Sequence, residues 1–322
     1  MNVMNAMNGS ELHVIFGTGP VGKATMRELV KQGRRVRMVN RSGKADVPAG
    51  VEVVSADAFN PASAREAANG AAVVYQCAQP AYHDWVTKFP ALQGSILEAA
   101  AAHGAKFIVC DNLYMYGDPN GQVIKEDSPY KAHTRKGRVR QAMAEAVMAA
   151  HKGGKVRAAI GRASDFIGPE YDVMADLVFY PALKGEAANL IGNTDVPHTF
   201  TYIPDFGKVL ATLGLHDEAL GQVWFTPSPE AITQRELVSR IYRAAGHEPK
   251  MRAAGKLILS AMGLFNSSMR ETVEMLYEWE KPFVIDSSKF QRAFGIAPTS
   301  IDEAIQTSLD WCRANPPASK AS

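Results

Sequence analysis

Three glycines, in the run Gly17-Thr18-Gly19-Pro20-Val21-Gly22, have the spacing that speaks most directly to chemistry. They follow the apolar run Leu12–Phe16 and open a helix-like run, Val21–Gln32. In that order Gly17 permits a tight turn and Gly19 lets the backbone approach a pyrophosphate. Gly22 lets helix and strand pack closely, and Pro20 and Val21 open a helix whose N-terminus faces the anion. Such a pattern also occurs as a plain strand–helix turn. Its place, directly after the first strand, favours a dinucleotide. The next strand end, Val39-Asn40-Arg41-Ser42-Gly43-Lys44, indicates which one. NAD sites usually place a carboxylate there for the ribose 2′-hydroxyl. None is present here. Arg41 offers a planar fork and Ser42 a hydroxyl to a 2′-phosphate, with Asn40 beside them. NADP(H) is therefore expected ahead of NAD(H), against the alternative of a solvated basic turn.

These residues need a scaffold, and the surrounding sequence supplies one. Strand-like runs at Leu12–Phe16, Arg35–Val39, Val51–Val54, Ala72–Cys77, Phe107–Cys110 and Val156–Ile160 alternate with helix-like runs at Val21–Gln32, Phe89–His103 and Arg138–His151. That rhythm, with near-continuously apolar strands, predicts an α/β fold: a Rossmann-type doubly wound parallel sheet. The dinucleotide-binding domain is expected over residues 11–168. Two segments, Phe200–Ile203 and Gln222–Phe225, are read as possible returns to the sheet, around residues 200–226. After Gly168 prolines and glycines multiply, and residues 169–322 are expected to form a smaller, helix-rich substrate lobe. Thr233 and Glu236 have the spacing of a capping box.

Composition removes several functional classes. Of 322 residues 46% are hydrophobic and 21% charged, with a net charge of +2, so the bulk of the chain is not disordered. So balanced a charge makes no electrostatic case for nucleic acid or an anionic membrane. No apolar run approaches the ~20 residues that span a bilayer. Three scattered cysteines, Cys77, Cys110 and Cys312, offer neither a disulfide framework nor a Cys-x-x-Cys metal site. The opening run MNVMNAMNGS reads as a tail rather than a targeting segment, and a cytoplasmic location is expected.

Taken together, the glycine loop, Ala56-Asp57-Ala58, Gln76-Cys77-Ala78-Gln79, Asp111-Asn112-Leu113-Tyr114-Met115-Tyr116-Gly117 and Arg162-Ala163-Ser164-Asp165-Phe166-Ile167-Gly168-Pro169 resemble the extended or atypical short-chain dehydrogenase/reductase superfamily, in its NAD-dependent epimerase/dehydratase branch. Tyr202-Ile203-Pro204-Asp205 resembles a later segment of the same pattern. The resemblance implies that Asp57 and Ala58 lie against the adenine, and that Cys77, Ala78 and Gln79 lie beside the ribose and pyrophosphate. It implies further that Ser164 and Phe166 pass the nicotinamide end. A small-molecule substrate follows, and the helices Phe89–His103 and Arg138–His151 suit either a homodimer, as in many relatives, or simple packing on the sheet.

The departures from that pattern bear on mechanism. Where catalytic relatives carry Ser or Thr before the Tyr-Gly of the strand-end motif, this chain has Asn112. Their Tyr-x-x-x-Lys pair falls, through Glu145, on Gly137 and Gln141, and residues 125–150 contain no such pair. The dehydratases' Asp-Glu pair falls on Leu113 and Tyr114, which argues against a 4,6-dehydration. Tyr114 is thus the candidate acid/base, with Asn112 orienting an oxygen and Lys136, Arg138 or Arg140 as the neighbouring cation. Tyr82-His83-Asp84-Trp85 follows the fourth strand as a candidate pocket wall, and His198 precedes the Phe200–Ile203 segment within reach of the cleft. Two readings stay open: an NADP(H)-dependent oxidoreductase or epimerase acting on a small carbonyl or hydroxyl compound, and a non-catalytic NADP-sensing regulatory protein.

Overall fold

A computed structural model describes residues 11–263 and 267–317. The opening tail lies outside the described residues. The chain divides into two units. The first comprises the residues up to Met115, Arg135–Ala163 and Pro204–Thr226. The second comprises Tyr116–Thr134, Ser164–Ile203 and the residues from Pro227 onward. The segment Tyr116–Thr134, expected with the dinucleotide-binding part, groups with the second unit for a visible reason. Ile124 exchanges backbone hydrogen bonds with Val284 and Asp286, both at 2.8 Å.

The first unit contains β1 (Leu12–Phe16), α1 (Pro20–Lys31), β2 (Arg35–Asn40), β3 (Glu52–Ser55), α2 (Pro61–Ala67), β4 (Ala71–Gln76), α3 (Trp85–Ala102), β5 (Lys106–Asp111), α4 (Arg135–Lys152), β6 (Arg157–Arg162), α5 (Ile203–Leu215, from Pro204 onward in this unit) and β7 (Val223–Phe225). The seven strands form one parallel sheet in the order β7-β6-β5-β4-β1-β2-β3. The order reverses direction between β1 and β4, and ligands of such sheets bind outside the strand C-termini at that crevice. The central strands β1, β4, β5 and β6 are largely apolar because both faces are covered, whereas the edge strand β3 has no buried residue. Val14, Phe16, Val74, Phe107, Val109 and Ile160 pack in one core with Phe89, Leu92 and Ile96 of α3.

Two expectations need correction, and one helix was not foreseen. Val223–Phe225 does join the sheet, beside β6, but Phe200–Tyr202 does not. It pairs in parallel with Asp165–Ile167 in a separate two-stranded sheet and runs directly into α5. Helix α3 begins at Trp85, four residues before Phe89, and keeps Pro90 inside. α2 has no sequence periodicity to betray it; Pro61 opens it, and the Asn60 side chain accepts from the N–H groups of Ala62 and Ser63.

In the second unit Ala188–Ile191 pairs with Met251–Ala254 and Pro197–His198 with Ile232–Thr233. The helices Gln234–Ala245 and Ile301–Ala314 bury Leu237, Ile241, Ile305 and Leu309 in a second core. Thr233 caps the first of these by accepting from the Glu236 N–H at 3.0 Å. Among the described contacts the Glu236 carboxylate pairs with Arg240 rather than reaching back to Thr233.

The return segment is held by close approach. A Cβ at Gly207 of α5 would stand 2.5 Å from the backbone carbon of Ala24 in α1. Gly→Ala inside a helix ordinarily stabilises by about 1 kcal/mol. Here Gly207→Ala is expected to destabilise by about 1–3 kcal/mol through overpacking, read as a lower midpoint in denaturant unfolding. A raised midpoint would show that α1 and α5 are not in backbone contact.

Candidate functional site

The glycine loop lies at the crevice between β1 and β4. Gly17 N–H donates to the Val39 carbonyl at 2.9 Å, and Cys77 N–H donates to the Phe16 carbonyl at 2.8 Å, so the loop is pinned from both sides. Gly17 has φ +110°, and a Cβ there would meet the Ala78 nitrogen at 2.6 Å. A Cβ on Gly22 would collide with the Gly17 carbonyl oxygen. Both positions are therefore restricted to glycine by the loop itself. Gly19 differs: nothing lies within 4 Å of where its Cβ would stand. It is the N-cap of the twelve-residue α1, with Pro20 at the first helical position and Val21 next. The open space before a helix N-terminus fits a pyrophosphate.

Asn40 ties the second strand end to this loop. Its Nδ2 donates to Thr18 Oγ1 at 3.0 Å and to the Lys44 carbonyl at 2.8 Å. Its Oδ1 accepts from Ser42 Oγ at 3.0 Å and from the Gly43 N–H at 2.7 Å. The Asn40 side chain and the Ser42 hydroxyl thus close the 40–44 turn, while the Arg41 side chain stands exposed at it. Asp57, also exposed, accepts from the Phe59 N–H at 3.0 Å, which is the geometry of a turn cap, and Ala58 is half-buried beside it. Ala78 is half-buried against Gly17, and Gln79 is exposed. Enclosure raises the Cys77 thiol well above its ordinary range and pushes Cys110 up to about 12, the latter against the pull of Arg140. Neither thiol is a nucleophile at neutral pH.

The C-terminal ends of β4 and β5 bring a second group together. Tyr82 and Tyr114 are half-buried, and their hydroxyls lie 3.3 Å apart. Trp85 packs on both, with ring centroids at 5.1 Å from Tyr82 and 5.8 Å from Tyr114. Asn112 is engaged locally: its N–H donates to Asp111 Oδ1 at 2.9 Å and its Oδ1 accepts from the Tyr114 N–H at 3.3 Å. The structure therefore uses its carbonyl oxygen to shape the turn that carries Tyr114.

Helix α4 divides the basic cluster. Lys136 and Arg140, four apart, face inward and are buried, whereas Arg138 is exposed. Lys136 Nζ lies 4.6 Å from the centroid of the Tyr82 ring. The Arg140 guanidinium lies 4.4 Å over the Phe89 ring and bonds to Asp111 Oδ1. The other carboxylate oxygen of Asp111 takes Arg162 Nε at 2.9 Å. Gln141, at the expected lysine position, bonds only to Glu145 within its own helix, at 2.8 Å, among the described contacts. Asp111 and Arg162 open two of the segments that carry the family resemblance, but the sequence assigned neither a role. Their one signal was a charge closing each of two apolar strands.

Ser164 and Phe166 belong to the second unit and are not grouped with the loop residues. Ser164 is buried; its N–H donates to Thr201 Oγ1 at 3.1 Å, and its own Oγ has no partner among the described residues. Phe166 packs edge-on against Tyr171 at 5.9 Å. In the same unit His198 stacks on Trp279 at 4.1 Å and bonds through Nε2 to Asp165 at 2.8 Å. Its ring is thereby part of a packed aromatic cluster with Phe200 and Phe283. Nearby, burial raises the carboxyl of Glu278 well above the ordinary carboxylate range, and the charge of Asp165 adds to the effect.

The sequence matches the NAD dependent epimerase/dehydratase family over residues 14–224. No curated protein matches it in sequence. Among solved structures, UDP-glucuronic acid 4-epimerase from Bacillus cereus, in complex with NAD, is similar with a TM-score of 0.76 at 17% identity, covering 94% of this chain and 99% of that one. An epimerase from Methanothermobacter thermautotrophicus gives a TM-score of 0.80 at 14% identity, covering 97% of this chain and 94% of the other. dTDP-glucose 4,6-dehydratase from Bacillus anthracis, in complex with NAD, gives 0.78 at 13% identity, covering 95% and 98%. At these identities the likeness speaks to the fold. No helix among the described residues is long and apolar enough to cross a membrane.

The buried Glu278 carboxyl sets a pH dependence. Its folded pKa is raised, so the native state keeps a proton that the unfolded chain releases above about pH 4.3. The wild type therefore loses stability, relative to a variant without this group, as pH rises from the unfolded towards the folded pKa. Glu278→Gln is expected to gain on the wild type by about 1.4 kcal/mol per pH unit across that window. Thermal melts of both proteins between pH 4 and 8 measure it. A constant difference would mean that the carboxyl is not protonated in the fold.

Proposed function

The chain belongs to the NAD-dependent epimerase/dehydratase family, and we propose that it is an NADP(H)-dependent oxidoreductase or epimerase acting on a small carbonyl or hydroxyl compound. The observation that carries the cofactor choice is the end of β2. No carboxylate stands there, the Asn40-clamped turn abuts the glycine loop, and Arg41 is exposed at it. A guanidinium suits a 2′-phosphate, whereas a carboxylate would suit the free 2′-hydroxyl of NAD.

The residues that would hold the dinucleotide are Gly17, Gly19, Pro20, Val21 and Gly22 at the pyrophosphate, Asn40, Arg41 and Ser42 at the ribose, and Asp57, Ala58, Cys77, Ala78 and Gln79 along the neighbouring strand ends. Ser164 and Phe166 complete the proposed set at the nicotinamide end. When bound, the nicotinamide supplies a hydride donor or acceptor. The protein must then supply or remove a proton at the substrate oxygen. Gly137 and Gln141 cannot titrate, so the helix positions used by relatives are chemically silent here. Tyr114 carries a phenol on the strand-end turn, and we assign it the acid/base role, with Asn112 fixing the turn. Leu113, buried, and Tyr114 replace the carboxylate pair that eliminates water in dehydratases, so redox or epimerisation chemistry is favoured over 4,6-dehydration.

Calorimetric titration with NADPH and NADH tests the cofactor reading. Arg41→Ala is expected to weaken NADPH by about 1.5–3 kcal/mol, the scale of a charged hydrogen bond, and to leave NADH nearly unchanged. Equal weakening of both removes the case for NADP preference. Gly19→Val is expected to abolish binding of both in a folded protein, because its side chain would fill the space before α1; retained affinity would reduce the loop to a turn.

Oxidation of bound NADPH across a panel of carbonyl compounds tests the chemistry. Tyr114→Phe should lower kcat by about 10²-fold or more, with NADPH affinity near wild type. An unchanged rate returns Tyr114 to a packing role. A protein that binds NADPH and turns over none of the panel, while its NADPH affinity answers to a protein partner, would favour the regulatory sensor.

A further inference from the structure

Beside the two hydroxyls at the ends of β4 and β5, a cation that the Tyr-x-x-x-Lys alignment does not anticipate lies over one of the rings. Lys136 is fully buried, and its ammonium lies 4.6 Å from the Tyr82 ring centroid. Tyr82 Oη in turn lies 3.3 Å from Tyr114 Oη. Lys136 is one residue before Gly137, and Arg140 is one residue before Gln141. The same four-residue spacing that would carry a tyrosine and a lysine on α4 thus carries two inward cations, displaced by one position, while the phenols come from strand-end turns.

Resting on the oxidoreductase or epimerase reading, we propose that Tyr82 and Tyr114 together form the proton-transfer group, and that Lys136 is the positioning residue that stabilises the phenolate form of this pair. Two physical effects act in that direction. A cation beside a phenol favours its ionised form, and the second hydroxyl donates a charge-assisted hydrogen bond to the first once that one is ionised. Partial burial opposes them, which is why both are needed. Among the described contacts Arg140 pairs with Asp111, and Asp84 with Lys88 at 2.8 Å. In the reducing direction a phenol gives its proton to the substrate oxygen as hydride from the reduced dinucleotide reaches the carbonyl carbon. The phenolate that remains is held by Lys136 and the partner hydroxyl until a water proton restores it. In the oxidising direction the phenolate takes the hydroxyl proton as hydride leaves the carbon for the oxidised dinucleotide.

The test reads the phenols directly, without substrate. Tyrosinate absorbance near 295 nm is followed against pH in the full-length protein. One phenol is expected to titrate at least one pH unit below the ordinary value of about 10. Tyr82→Phe and Tyr114→Phe should each remove or raise that early phase, and Tyr130→Phe should leave it in place. Lys136→Met should move it up tenfold or more in proton affinity, and Lys136→Arg should retain it. Absence of an early phase in the wild type overturns the proposal, as does its persistence in Tyr82→Phe or in folded Lys136→Met. Should Lys136→Met not fold, Tyr82→Phe and Lys136→Arg decide the matter, and loss of the phase in folded Lys136→Arg also counts against the proposal. NADPH titration of the same samples separates the two levels. Binding without an early phenol sinks this inference alone, and an early phenol without binding sinks the cofactor reading alone.

Discussion

Asp111 is the point on which the arrangement at the strand ends depends. It closes β5, and its two carboxylate oxygens receive Arg140 from α4 and Arg162 from β6. All three side chains are buried. A carboxylate in that position loses its hydration, and only a full set of charge-assisted bonds offsets the loss. The reward is geometric. With Arg140 drawn to Asp111 and stacked over Phe89, α4 has one rotational setting about its axis. One turn earlier on the same face sits Lys136, which that setting delivers to Tyr82. Arg138, two residues from each, is turned outward by the same helical period.

The glycine loop depends on a different constraint, the absence of room. A Cβ on Gly22 would fall on the Gly17 carbonyl, and one on Gly17 would press on the backbone of Cys77 and Ala78. Gly19 alone is free of neighbours. Two of the three glycines are therefore required by the fold, whether or not anything binds. The third is what distinguishes a cradle from a tight turn, and this is why it bears the cofactor test.

Much of this was legible in the sequence because it is local. Strand and helix alternation, the glycine spacing and the missing carboxylate after β2 are all patterns within a few residues, and the sheet formed from them runs in parallel as read. What escaped was non-local or too short to have a period. Asp111 meets residues 29 and 51 positions away. Phe200–Tyr202 is as apolar as a sheet strand, and only its partner, Asp165–Ile167, tells it apart from one. Pro90 marks a helix start by composition, yet α3 runs back to Trp85, whose ring is buried against Tyr82, Phe89 and Tyr114. The basic run Lys136-Gly137-Arg138-Val139-Arg140 is visible, but which cations turn inward depends on the rotation of a helix that Asp111 sets.

That residues 125–150 contain no Tyr-x-x-x-Lys pair takes on a different meaning against this geometry. A motif on a helix links two roles by fixed spacing: a phenol that moves the proton and a cation that lowers its pKa. Nothing in the chemistry requires both on one element; it requires a hydroxyl within reach of the substrate oxygen and a charge near the hydroxyl. In this chain the phenols sit on turns at two adjacent strand ends, where open α/β sheets gather ligands. Helix α4 retains only the charge, one residue out of the usual register and held there by Asp111. A comparison made position by position finds Gly137 and Gln141 and sees a loss. A comparison made by side-chain location finds an ammonium over one phenol ring, two hydroxyls 3.3 Å apart and an ion pair on the same helix face, the parts on which the proposed acid/base centre draws.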